Sequence, residues 1–322
     1  MKPYLIDIPV ALVFFNRPDT FATAFKAVAN ARPSKLFLIQ DGARINKPGE
    51  EQKIQKCRSL IKIDWECEVY EDFSSENLGC GKRIYTGITN AFKYVDRLVI
   101  IEDDIVIGED MLPFCAEVLE RYKDDERIGL ISGMNHLGVY STPSSYFFTH
   151  GGAIWGWATW KRVWDCIDWS LSCVEDSYVM NILEHQSLPY IDGTGIANGT
   201  KEKYVSMKNG EKQTSWTTQF LVTSILLQHR LKIVPSKNLT SNIGLIGEHS
   251  KSSSIWQVPR GQRCIYFAPT YKLEKPLRHP KYIIDDVLYN SKQRKIMTGG
   301  CLGKYVRRVE RLLYKLFPIL GK

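Results

Sequence analysis

The first hundred residues alternate short apolar runs with segments of helical period. Val10 to Phe15 is a continuous apolar run, and Asp19 precedes Ala22, Phe25 and Val28, spaced for one helix face reaching about Asn30. Leu36 to Gln40 predicts a second strand, closed by Asp41-Gly42. A polar loop from Ala43 to Gly49 leads into a helix ending near Ile61, and Glu66 to Tyr70 predicts a third strand. Gly79 to Gly81 opens a further helix reaching Phe92. Repeated strand–helix units predict a parallel sheet with right-handed crossovers. From about Ser132 to Trp169 the chain is rich in Gly and Trp and reads as loops and short elements. No internal repeat or low-complexity tract interrupts it.

The next run, Arg97-Leu-Val-Ile-Ile-Glu-Asp-Asp-Ile105, ends abruptly in three carboxylates. Leu98 to Ile101 suits a strand buried on both faces of a parallel sheet. Glu102, Asp103 and Asp104 then stand at its carboxyl end, where open α/β folds bind ligands. In extended chain Glu102 and Asp104 point the same way. Clustered hard oxygen donors suit Mg²⁺ or Mn²⁺, which usually enter with a phosphate. The plainer alternative is an acidic turn before the helix that begins near Asp110.

Composition narrows the class. A chain of 322 residues with 44% apolar content can bury a sizeable core, and its net charge of +8 suggests an anionic partner. The longest clean apolar run, Ile8 to Phe15, falls well short of the roughly 20 residues that span a bilayer. It also lacks the basic flank and cleavage site of a signal peptide. The eight cysteines form no Cys-x-x-Cys pair and have no histidine at zinc spacing, so free thiols in a reducing cytosol are expected.

Several nucleotide signatures are excluded. Asn16-Arg17-Pro18 follows the first strand where a dinucleotide site or a sugar nucleotidyltransferase would carry a glycine loop. Gly79-Cys-Gly-Lys82 resembles a phosphate loop only faintly, with Glu76 in place of the first glycine and Arg83 in place of Ser or Thr. The glycines read equally as a tight turn into a helix. Lys82 and Arg83, at that helix start, can still add positive charge beside a diphosphate.

Taken in order, these segments resemble the bacterial GT-A glycosyltransferases related to the N-acetylglucosaminyltransferase I type, sometimes filed with family 2. The resemblance rests on Pro9 to Pro18, Gln40-Asp-Gly42, Glu76 to Lys82, Ile101-Glu-Asp-Asp104 and Asp124 to Ile128. It continues through Ile131 to Asn135, Trp155-Gly-Trp-Ala-Thr-Trp160, and Asn242-Ile-Gly244 with His249, covering roughly residues 8 to 255.

It implies a GT-A fold of class α/β, a mixed and mostly parallel sheet with helices on both faces. The activity implied is metal-dependent inverting transfer from a nucleoside diphosphate sugar, a UDP-sugar as first choice, to a glycan or lipid-linked glycan in bacterial surface polysaccharide assembly. By the same resemblance Phe15 and Arg17 contact the nucleotide, Arg17 at its diphosphate, and Asp41 takes the base or ribose. Glu102 and Asp103 hold the ribose or sugar, and Asp104 ligates Mn²⁺ or Mg²⁺. Trp155, Trp157 and Trp160 line the sugar and acceptor cleft, Trp157 on the donor side, although core packing beside a glycine-rich turn fits them too. Asp41 reads otherwise as an Asp-Gly turn. His249 ligates metal, touches phosphate or is a surface histidine.

One position departs from the family. An inverting transferase needs a carboxylate to deprotonate the acceptor hydroxyl. Where the relatives carry Trp-Asp followed by Gln, this chain reads Ser215-Trp-Thr-Thr-Gln219, with Thr217 at the base position. Asp176 is the nearest substitute by pattern and Asp192 another. A non-catalytic nucleotide-sugar or glycan-binding protein of the same fold is the alternative.

From Leu302 onward, Tyr305, Val306, Val309, Leu312, Leu313, Leu316 and Phe317 recur at helical spacing among Lys304, Arg307, Arg308, Arg311 and Lys315. This predicts a basic amphipathic tail, drawn at 276–322 after a GT-A domain at 1–275. It suits either an anionic membrane surface, with the enzyme peripheral on the cytoplasmic face, or docking on protein. Concentration of the positive charge in the tail argues against nucleic acid.

Overall fold

The run Pro9-Val-Ala-Leu-Val-Phe14 has no polar side to turn to water, and β1 (Ile6–Phe14) accordingly lies inside the sheet, buried on both faces. In the computed structural model, which describes residues 1–186, 192–211, 213, 215–245, 255–258, 260–298 and 303–316, β1 pairs in parallel with β2 (Pro33–Gln40) and β4 (Arg97–Glu102). β3 (Glu68–Phe73) pairs in parallel with β2. The eight strands run in the order β3-β2-β1-β4-β8-β6-β9-β7, with β6 (Ile128–Ser132), β7 (Tyr146–Thr149), β8 (Trp157–Trp160) and β9 (Leu231–Pro235) completing it. β7 and β8 run antiparallel to their neighbours. The sheet is therefore mixed and mostly parallel, as expected.

α1 (Pro18–Ala31) starts on Pro18, whose fixed φ and missing N–H suit the first helical position. Phe21, Ala24, Phe25 and Val28 form its buried stripe at helical spacing. α2 (Glu50–Ser59) and α3 (Cys80–Ala91) complete the early crossovers, and α4 (Met111–Arg121) follows the acidic triplet. Trp157 and Trp160 lie an odd number of positions apart on β8, so they face opposite sides of the sheet. Trp160 donates through Nε1 to the Leu119 carbonyl of α4 at 2.9 Å. Trp157 stacks on Trp216 and contacts Trp164, whose Nε1 donates to Thr89 of α3. Helices thus cover both faces.

The Gly- and Trp-rich middle is more regular than its sequence suggests. β8 is an interior strand, with Trp157 opposite Ile100 of β4 and Ser132 of β6. A small antiparallel pair, β5 (Ile105–Ile107) with β10 (Thr240–Asn242), brings residues 242–244 beside the triplet.

After α5 (Lys161–Trp164), α6 (Ser177–His185) and α7 (Gly193–Lys208) pack together over Met180, Leu183, Ala197 and Val222. α8 (Thr217–Gln219) continues as a π-helical stretch at Phe220–Leu226. α9 (Val287–Thr298) packs on the main body, with Tyr289 fully buried against Phe147 and Tyr140. That part of the segment assigned by sequence to the tail is thus joined to the sheet. α10 (Gly303–Leu316) touches the body through Arg263–Glu310 at 3.1 Å and Arg307 to the Gln257 carbonyl. Its Tyr305, Val306, Val309, Leu312 and Leu313 are exposed. No helix among the described residues is long and apolar enough to cross a membrane, and the seven cysteines among them are unpaired.

Candidate active site

β1 and β4 are parallel neighbours, so their carboxyl ends deliver Phe15, Arg17 and the acidic triplet to one spot. The Phe15 N–H donates to Asp103 Oδ2 at 3.3 Å. Arg17 donates to both oxygens of Asp103 and lies 3.0 Å from Asp104 Oδ2. The strand stops at Glu102, and the turn that follows aims Asp103 and Asp104 together at Arg17. The sequence pattern pairs Glu102 with Asp104, and the turn at 103–104 adds Asp103 to them. Asp104 acts strongly on Glu102. After burial it is the largest influence holding that carboxyl well above its usual range, ahead of Asp103.

Three carboxylates face one guanidinium. Burial pushes Asp103 up to about 6, although Arg17 pulls the other way. Burial also opposes the charge of Arg17, but Asp103 and Asp104 outweigh it and hold its pKa above the ordinary value. Among the described residues no three His, Cys, Asp or Glu side chains form a ready-made cation cage. That donor set still fits a hard cation of the Mg²⁺ type, which takes one or two carboxylates and completes its shell with phosphate oxygens and water. Arg17 occupies the place of the positive charge between Asp103 and Asp104. Gly244 packs on the other side of Asp104, where a Cβ would collide with the carboxylate. The Ile243 N–H donates to the Asp104 carbonyl at 2.8 Å. His249 lies outside the described residues.

Asp41 has a different role from the one expected. Buried at the end of β2, it accepts from the N–H groups of Gly42, Leu78 and Gly79 and from Asn77 Nδ2, at 2.8–3.1 Å. Four donors occupy its two oxygens, so it shapes the loop into α3 instead of offering acceptors to a nucleotide. Gly79 there has φ +81°, and a Cβ on Gly81 would meet the Gln213 and Ser215 carbonyls at 2.8 Å. Backbone conformation favours glycine at 79, and close backbone approach demands it at 81. Lys82 is exposed in the first turn of α3. Arg83 is buried and binds the Gln40 carbonyl and Asp72, so it braces β2 and β3 rather than a diphosphate. The Cys80 thiol, pushed up to about 12 by burial and then by Glu102, Asp103 and Asp41, places the start of α3 beside the triplet.

Trp157 is fully buried among Trp164, Trp216 and Phe220, and Trp160 is buried on the opposite face. Neither lines a cleft; interior pairing of β8 turns both into the core. Trp155 is half-buried, 6.4 Å from the His136 ring.

Thr217 follows a segment that packs against the start of α3. The Gly81 N–H meets the Gln213 carbonyl, and Thr217 Oγ1 is 2.8 Å from Ser215 Oγ. Thr217 also lines a cavity of about 390 Å³ with Asp192, Thr200, Thr218, His150 and Lys232. Asp192 N-caps α7 through the Gly195 N–H at 3.0 Å. Asp176 is exposed and does not line that cavity, and its Oδ1 accepts from the Tyr178 and Val179 N–H groups as the N-cap of α6. Asp192 caps a helix too, so it is the place of Asp176 outside that cavity that sets it apart from the expected catalytic role.

Two features went unpredicted by the sequence pattern. Buried Glu50 binds Arg44 and accepts from Asn16 Nδ2 at 2.9 Å, tying the loop after β1 to the loop before α2. Lys232 is only 8% exposed. A lysine inside the apolar strand Leu231-Lys-Ile-Val-Pro235 is the signal that marks it.

No family model matches the sequence, and no curated protein does. Among solved structures, the chain is similar to a mannosyltransferase from Pyrobaculum calidifontis in complex with GDP-Man and Mn²⁺. The TM-score is 0.43 at 10% identity, covering 100% of this chain and 78% of that one. A UDP-glucose pyrophosphorylase complexed with UDP-glucose gives a TM-score of 0.34 at 11% identity, over 73% of this chain and 92% of that one. Likeness this loose leaves function to be argued from the site.

Proposed function

We propose that the protein transfers a sugar from a nucleoside diphosphate sugar to a glycan or lipid-linked glycan acceptor, with inversion and with help from a divalent cation. The observation that supports this most is the convergence of Asp103, Asp104 and Arg17, with Glu102 adjoining, at the carboxyl ends of β1 and β4. Asp104, with Asp103 behind it, would hold Mn²⁺ or Mg²⁺, which when bound supplies Lewis-acid stabilisation of the leaving diphosphate. Arg17 supplies a fixed positive charge beside the diphosphate, anchored by Asp103. Glu102 adjoins as the acceptor for donor hydroxyls. The acceptor approaches from the Thr217 cavity.

A threonine hydroxyl cannot take a proton near neutral pH, and that of Thr217 is engaged with Ser215. The carboxylate best placed to act instead is Asp192, because it shares the cavity with Thr217. Thr217 also favours a second reading, a nucleotide-sugar or glycan-binding protein without turnover. The test is release of nucleoside diphosphate from a panel of nucleotide sugars with Mn²⁺ and glycan acceptors. Asp192→Asn is expected to slow transfer about 10²–10⁴-fold while leaving donor binding intact. Donor binding with no turnover on any acceptor supports the second reading, and full activity in Asp192→Asn removes Asp192 from the mechanism.

A further inference from the structure

Lys232 sits on β9, and about nine-tenths of it is buried. Among the described residues no carboxylate pairs with its ammonium and no acceptor binds it, whereas the other lysine on that stretch, Lys237, reaches Glu274. A buried charge without a partner is costly and is normally paired or coordinated. Burial lowers the Lys232 pKa to about 8, so near neutral pH the ammonium is still charged.

The nearby ionisable groups do not supply the missing charge. His136 is kept neutral by burial and then by Lys232 itself, and its Nδ1 meets Gln293. His150 lies 3.1 Å from Asp285. Asp192, on the cavity wall, turns Oδ1 to its own helix. The lysine lines the same cavity of about 390 Å³ as Thr217, a volume within the range of small-ligand sites. Thr217 and Thr218 stand on its wall beside apolar Leu221, Val222 and Ile225, while the Thr200 hydroxyl is turned to the Ile196 carbonyl at 2.7 Å.

We propose that this cavity is an acceptor subsite selecting an anionic group, the carboxylate or phosphate of an acidic sugar, held by the Lys232 ammonium. The subsite rests on the reading that the acceptor approaches past Thr217. Its ligand chemistry, however, is independent of turnover at the triplet.

The experiment is equilibrium binding of glucose, glucuronate and glucose 6-phosphate to the full chain and to Lys232→Met and Lys232→Gln. An acidic sugar is expected to bind at least about tenfold more tightly than glucose, and both variants to reduce it to the level of glucose. Preference for glucuronate or for glucose 6-phosphate tells carboxylate from phosphate. Equal binding of charged and neutral sugars overturns the proposal, as does an unchanged preference in the variants. Should both variants fail to fold, acylation of Lys232 in the wild-type chain, followed by mass spectrometry, gives the answer. Protection by an acidic sugar and not by glucose supports the subsite, and equal labelling overturns it. Nucleoside diphosphate titrated on the same preparations tests the donor reading separately, so loss of that binding with the anion preference intact removes only the donor reading.

Discussion

The guanidinium of Arg17 grips the carboxylate of Asp103 with two nitrogens, Nε donating to Oδ2 at 3.4 Å and Nη2 to Oδ1. The Asp103 side chain is 4% exposed and that of Arg17 28%, so the pair is only partly screened by water. Arg17 also reaches Asp104. One side chain therefore offsets part of the site's negative charge and stands where a diphosphate would need positive charge.

Removing that side chain leaves Asp103 buried and unpaired. Arg17→Ala is expected to lower the stability of the ligand-free protein by about 3 kcal/mol, the cost of breaking a buried pair. Added Mn²⁺ should restore part of the loss, because a cation bound by the folded state alone stabilises it. Denaturant melts with and without Mn²⁺ measure both effects, and a variant as stable as the wild type would separate Arg17 from the triplet.

Trp157 belongs to the core. Trp157→Ala is expected to cost about 3–5 kcal/mol in denaturant unfolding, from lost burial and the cavity left behind. Trp157→Phe also deletes a buried indole N–H that lacks a partner among the described residues. It should cost much less and leave nucleotide affinity unchanged. A large loss of nucleotide affinity in the Phe variant would return Trp157 to the donor site.

Arg17 and Trp157 show what the sequence discloses. Arg17 and the triplet were legible because apolar runs ending in polar residues mark strand ends, and parallel strands bring those ends together. The role of Trp157 was not, because the four residues of β8 are too few to display a period. The place of β8 between β4 and β6 is set by pairing with segments far away in the chain. Asp41 fails for a related reason. Its Asp-Gly dipeptide marks a turn, but the amides it binds lie more than thirty positions onward, at Leu78 and Gly79. Lys232 could have been noticed as a charge in an apolar strand, whereas its want of a partner depends on tertiary packing.

The C-terminal helix presents exposed apolar residues and basic ones. We expect it to bind anionic liposomes, each basic residue near the surface adding roughly 1 kcal/mol. Val309→Asp with Leu312→Asp in the full chain should abolish cosedimentation with vesicles containing phosphatidylserine while leaving nucleotide binding unchanged. Cosedimentation equal to wild type would exclude this helix as a membrane contact.

Calorimetric titration of UDP in the presence of Mn²⁺, comparing the wild type with Asp104→Asn, tests the donor site most directly. The variant keeps the shape of the side chain beside Gly244 and removes its charge. Mn²⁺-dependent binding to the wild type is expected, with an affinity at least about tenfold weaker in Asp104→Asn, the loss that follows when a charge-assisted contact worth about 1.5–3 kcal/mol is removed. Equal affinity in the two proteins, or a wild type that binds no nucleoside diphosphate with Mn²⁺, would contradict the donor site.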